Sequence, residues 1–204
     1  MSLQHIYKNT FHQYVVEAQQ KMLPTKSLIL PHIVGKDIID WGSGPGHRAK
    51  ILSAWGASTV RCWDPNVWCS HVFDKYYSSN QMTWIVEPDN LFCDTLYISG
   101  VTGYVGPKPH EWFDDVLSRV NCKYVVAVWD VENDDSRRLE KHMLTHQDSW
   151  TFFNTCGFNT ITNGYEIYTS NSKLELINFY EIPITFSFSK LITSIKIIIL
   201  KVKV

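Results

Sequence analysis

Asp37-Ile38-Ile39-Asp40-Trp41-Gly42-Ser43-Gly44-Pro45-Gly46 is the stretch on which the reading of this chain turns. A short apolar run ends in an acidic residue, and three glycines follow at alternate positions. Helical spacing begins directly after them. In sequence this is a strand, a tight turn and a helix N-terminus, a turn type that presents backbone N–H groups to a nucleotide-like ligand.

Downstream, Ile51, Leu52 and Trp55 supply the buried face of a helix over about 47–55, and Gly56 fits its C-terminal cap. Residues 58–63 read as a second strand, ending at Asp64-Pro65-Asn66, the distance a β-α-β unit requires. A short helix over 66–77 is followed by a third strand, 83–86, that ends in Glu87-Pro88-Asp89. A fourth strand, 93–98, ends at Ser99-Gly100, and a Gly- and Pro-rich loop, 101–109, feeds a helix near 110–120. Residues 123–129 are strongly apolar, continuously so from Tyr124 up to Asp130, as suits a strand of a parallel sheet covered on both faces. Asp135 or Ser136 caps a further helix. Residues 160–169 and 173–180 then read as two strands joined by Ser170-Asn171-Ser172, a hairpin signal.

Upstream, Leu3, Ile6, Tyr7, Phe11, Tyr14, Val15, Ala18 and Met22 recur at helical spacing, and Pro24 ends that helix. It reads as a packing helix or as a lid over the glycine turn, with Lys21 and Lys26 taken as solvated surface residues. The organisation expected is an N-terminal helical segment, 1–30, a ligand-binding domain, 31–180, and a C-terminal extension, 181–204. In that extension Ile184, Phe186 and Phe188 alternate with Thr185, Ser187 and Ser189. Beyond Lys190 the pattern becomes irregular, and an edge strand and a loose extension are both open. Alternating strands and helices predict an α/β fold: a Rossmann-like, doubly wound, mostly parallel sheet with a C-terminal antiparallel hairpin and helices on both faces.

Composition narrows the class. The 204 residues suit one domain with a small extension, and a hydrophobic content of 45% is enough for a substantial core. A net charge of −1 gives no global positive field for nucleic acid. Five cysteines, none in a C-x-x-C pair, argue against a zinc site or a disulfide framework and for a reducing, cytoplasmic location. Lys190, Lys196, Lys201 and Lys203 interrupt the apolar tail, so it does not read as a membrane span.

A dinucleotide fingerprint is G-x-G-x-x-G. Here the turn is G-x-G-x-G with His at 47, and Pro45 removes an N–H that a pyrophosphate could have used. Both features argue against a nicotinamide-dependent oxidoreductase. Asp40-Trp41-Gly42-Ser43-Gly44-Pro45-Gly46, with the acidic Asp64 at the second strand end, resembles the first motifs of the class I S-adenosylmethionine-dependent methyltransferases. The resemblance covers roughly 36–180 by order of elements, and the family's sheet also ends in an antiparallel strand.

That resemblance implies S-adenosyl-L-methionine as cofactor and a set of roles. Gly42, Ser43, Gly44 and Gly46 would let the backbone approach the methionine part, and Asp40 would help hold its ammonium. Asp64 would accept from both ribose hydroxyls, and Glu87 or Asp89 would meet the adenine. No metal is implied. The acceptor is normally met after the fourth strand, where Ser99 to Tyr104 carries neither an Asn/Asp-Pro-Pro-aromatic motif nor the acid of a Lys-Asp-Lys-Glu set. Tyr104, His110 and Asp130 are the candidates to orient or deprotonate an acceptor. The run Gly42 to His47 is also similar to viral RNA-capping methyltransferases, although His47 reads equally as a solvent-exposed residue at a helix start. The acceptor stays open among small molecules, nucleic acid and protein, as does the oligomeric state. A non-catalytic module of the same fold is the alternative.

Overall fold

The computed structural model describes residues 15–16, 18–100, 109–132, 172–183 and 192–203, with backbone alone at 109–110, 129–132 and 192–193. The structure falls into two compact units. One holds the chain up to Ser99 together with Arg119–Val126, and the other holds Gly100–Ser118 with the chain from Ala127 onward.

The first unit is built around β1 (Asp37–Trp41), whose Ile38, Ile39 and Trp41 are buried. β1 pairs in parallel with β2 (Thr59–Trp63) on one side and β4 (Leu91–Ser99) on the other. β2 pairs in parallel with the short β3 (Met82–Trp84). Helix α1 (His47–Ala54) connects β1 to β2 and ends at Gly56, which is left-handed at φ +98°. Helix α2 (Val67–Tyr76) connects β2 to β3, and the Asn66 side chain accepts from Trp68 N to cap its first turn. These are the strand, turn and helix placements expected from the hydrophobic spacing, to within two residues.

Helix α3 (Pro109–Arg119) buries Phe113 and Val116 and leads into β5 (Val120–Glu132). β6 (Leu174–Pro183) and β7 (Ile192–Val202) form an antiparallel pair with a register shift between Leu176 and Asn178. Among the described residues the sheet has seven strands in the order β3-β2-β1-β4-β5-β7-β6. It is a mixed sheet with parallel pairing in its first half and a C-terminal antiparallel pair, as the α/β reading predicts.

The hairpin itself is assembled differently from the expectation. Its second arm is the tail segment 192–202, for which the sequence suggested no definite role. Ile195, Ile197, Ile198, Ile199 and Leu200 are all buried, so the irregular Ile/Lys pattern is a strand covered on both faces, where alternation is not required. The expected strand at 160–169, the helix after Asp135 and most of the first helix lie outside the described residues.

Candidate functional site

In open α/β sheets ligands sit at the carboxyl ends of the strands. Here the β1 and β2 ends are knitted together. Gly42 N and Ser43 N donate to Trp63 O at 2.8 and 3.0 Å, and Gly44 N donates to Asp64 Oδ2 at 3.0 Å. Gly46 N donates to Ser43 O at 3.2 Å, and Pro45 has no N–H. The turn's own N–H groups therefore all donate within the protein, whereas the sequence pattern suggested that they face a ligand. A phosphate-binding turn needs such donors pointing outward. This one instead turns them inward, with Gly42 and Gly44 left-handed at φ +72° and +55° and no side chain at either to keep a ligand off the backbone.

Gly46 is a glycine for a separate reason. Its φ is +93°, and a Cβ there would lie 2.7 Å from Phe73 Cδ2 of α2. The third glycine thus lets α1 start against the α2 aromatic ring. His47, next in the chain, is 8% exposed and its Nδ1 lies 2.6 Å from Tyr77 Oη. The expectation of a solvent-exposed His47 is corrected by this contact, because the tight α1–α2 approach encloses the ring. Burial, with the Arg48 charge second, pushes its pKa down to about 4, so the imidazole is neutral near pH 7.

Asp40 and Asp64 flank the turn. Asp64 is half-buried and takes Gly44 N on one oxygen and Asn66 N, at 2.9 Å, on the other. The Cys69 thiol also donates to it. Burial raises its pKa and the two N–H bonds oppose that rise. A carboxylate has about four lone-pair sites, so both oxygens keep capacity for further donors. Asp40 is 1% exposed, and among the described residues its Oδ2 has no hydrogen-bond partner. Burial pushes its pKa up to about 7, against the attraction of Arg48 and with repulsion from Asp64. Ser43 is buried and donates to Gly44 O at 3.1 Å. Trp41 and Trp63 pack with ring centroids 4.2 Å apart, closing the strand ends with aromatic surface.

The structure brings Asp40, Gly42, Ser43, Gly44, Gly46 and Asp64 together and leaves Asp89 apart. Asp89 precedes β4 at its amino end, is exposed, and pairs with Arg119 at 2.9 Å. The physical reason is the length of β3, which stops at Trp84. Ile85 N then bonds Cys62 O, and the chain has turned away before Asp89. Lys21, expected at the surface, is 9% exposed, while Lys26 is exposed and lies 5.7 Å over the Trp55 ring. Tyr104 lies outside the described residues. His110 and Asp130 are placed only by backbone, at the start of α3 and within β5. Arg48, Asn66, Cys69 and Tyr77 are site neighbours that motif reading passed over. The Asp-Pro-Asn sequence at 64–66 was the available signal for the cap, and the Tyr77 contact has no local signal at all.

The strand order and this turn define the fold of the class I S-adenosylmethionine-dependent methyltransferases. Solved structures share it across nearly the whole chain. Magnesium protoporphyrin IX methyltransferase from Synechocystis PCC 6803, with S-adenosylhomocysteine bound, superposes with a TM-score of 0.65 at 13% identity, over 93% of this chain and 84% of that one. A SAM-dependent methyltransferase from Methanosarcina mazei gives 0.63 at 15% identity, covering 87% and 98%. The plantazolicin methyltransferase, in complex with S-adenosylhomocysteine, gives 0.60 at 11% identity, covering 96% and 90%. No family model and no curated protein matches the sequence.

Proposed function

We propose that the chain is an S-adenosylmethionine-dependent methyltransferase. The observation that carries the reading is the junction of Asp40, the glycine turn and Asp64, in which the turn's N–H groups are engaged internally while two carboxylates keep acceptor capacity. That junction suits a cationic amino acid and a ribose better than a pyrophosphate. Asp40, with its orphaned buried oxygen, would hold the ammonium. Gly42 and Gly44 would lie against the methionine part, and Asp64 would accept from the ribose hydroxyls. Asp89 has no role in this reading, and the end of β3 at Trp84 is the place where adenine would be met.

Bound there, the cofactor supplies a sulfonium-activated methyl group. The chain's contribution is then to hold the acceptor in line with it and to exclude water, which accounts for much of the acceleration in such transfers. Tyr104, His110 and Asp130 are proposed to orient the acceptor or take its proton. Residues 31–180 supply the cofactor site and the tail 181–204 contributes β7. No helix among the described residues is long and apolar enough to cross a membrane. The proposed location is the reducing cytoplasm, on the cysteine usage.

Transfer of a labelled methyl group from the cofactor to separate pools of metabolites, RNA, DNA and protein tests the reading and identifies the acceptor class. Label in one pool supports an enzyme. Cofactor binding without transfer to any pool would favour the non-catalytic module.

A further inference from the structure

Asp40 is the most completely buried acid at the turn, at 1% exposure, and its Oδ2 finds no partner among the described residues. Holding an ionised carboxylate with an unpartnered oxygen in such a place is costly, and burial favours the neutral acid. The charged and titratable groups around it come from three elements. Arg48 faces it from α1, Cys62 from β2 and Asp64 from just beyond its end, and Tyr97 is its register partner on β4. Arg48 favours the ionised form, Asp64 opposes it, and burial outweighs both.

From this geometry we infer that Asp40 exchanges its proton for the cofactor's ammonium, so that cofactor capture releases a proton and weakens as the solution is acidified. The inference rests on the methyltransferase reading and adds a pH dependence to it. A cation placed beside the carboxyl stabilises its ionised form and lowers its pKa. The proton lost on binding goes to the buffer, and the ammonium takes its place as the charge partner. His47, with its pKa pushed down to about 4, stays neutral in the window concerned.

Because Asp40 in the free protein titrates at about 7, the linkage sign follows. Proton release should approach one at pH 6 and fall towards zero as the pH rises through the Asp40 titration. Affinity should fall roughly tenfold between pH 8 and pH 6.

The experiment is calorimetric titration of the full chain in buffers of differing ionisation enthalpy, at pH 6, 7 and 8. The ligands are S-adenosylmethionine, S-adenosylhomocysteine and 5′-methylthioadenosine. The first two carry the ammonium and should release the same number of protons, although only one is a sulfonium. The third lacks the amino acid and should release none. Asp40→Asn should bind without proton release, and Asp64→Asn should keep it, which separates the two acids. Binding of S-adenosylhomocysteine with no proton release at pH 6, or with release retained in Asp40→Asn, overturns the inference and leaves the methyltransferase reading standing. Failure of the folded protein to bind any of the three ligands removes both.

Discussion

Asp64 is the residue whose role can be tested most simply, because its two oxygens are occupied by backbone and still accept more. Asp64→Ala removes any ribose contact together with the Gly44 and Asn66 N–H bonds. Cofactor affinity should fall by about 1–3 kcal/mol, read by calorimetry on a variant shown to be folded. Unchanged affinity would mean that the ribose lies elsewhere. Asp40 and His47 give a second test, since their titrations oppose one another. Asp40 has a folded pKa of about 7 against 3.8 for the free group. Its contribution is present below pH 4 and is lost as pH rises to 7, on the order of 4 kcal/mol in all. His47 has a folded pKa of about 4 against 6.5, so its contribution is present above pH 6.5 and is lost as pH falls to 4. The two slopes offset each other between pH 4 and 6.5. Asp40→Asn should therefore leave stability that rises with pH across this window, and His47→Gln stability that falls, by denaturant unfolding. Parallel profiles for both variants would contradict the assigned environments.

At the scale of elements, the β1-turn-α1-β2 unit was legible because every signal in it is local. Ile38 and Ile39, the glycines, and Asp64 lie within thirty residues, and each residue type fits only one part of the motif. Gly46 shows what lay beyond reading. The pattern marks it as a glycine, but its geometric need comes from Phe73 on α2, which no spacing rule connects to it. Gly46→Ala must hold a left-handed backbone at about 1–2 kcal/mol and crowd Phe73 at about 1–3 kcal/mol. We expect a loss of about 2–5 kcal/mol in unfolding free energy, and a smaller loss in a Phe73→Leu background. An additive pair would show that the ring does not set the requirement. Asp89 lies away from the turn for a similar reason: the end of β3 is set by its three-residue pairing with β2, which no local signal marks.

At the scale of the whole molecule, strand order was legible only as far as connections are short. The parallel crossovers around β1 follow from alternation of strands and helices. The pairing of 192–202 with 174–183 does not, because β7 is buried on both faces and carries no period. The acceptor was not legible either, since Ser99 to Tyr104 carries no motif. The cofactor side is set by Asp40, the glycine turn and Asp64. Calorimetric titration of the folded chain with S-adenosylmethionine, S-adenosylhomocysteine and NAD tests it most directly. Saturable binding of both sulfur ligands and none of NAD is the expected result; binding of NAD alone, or of no ligand, would contradict the methyltransferase reading.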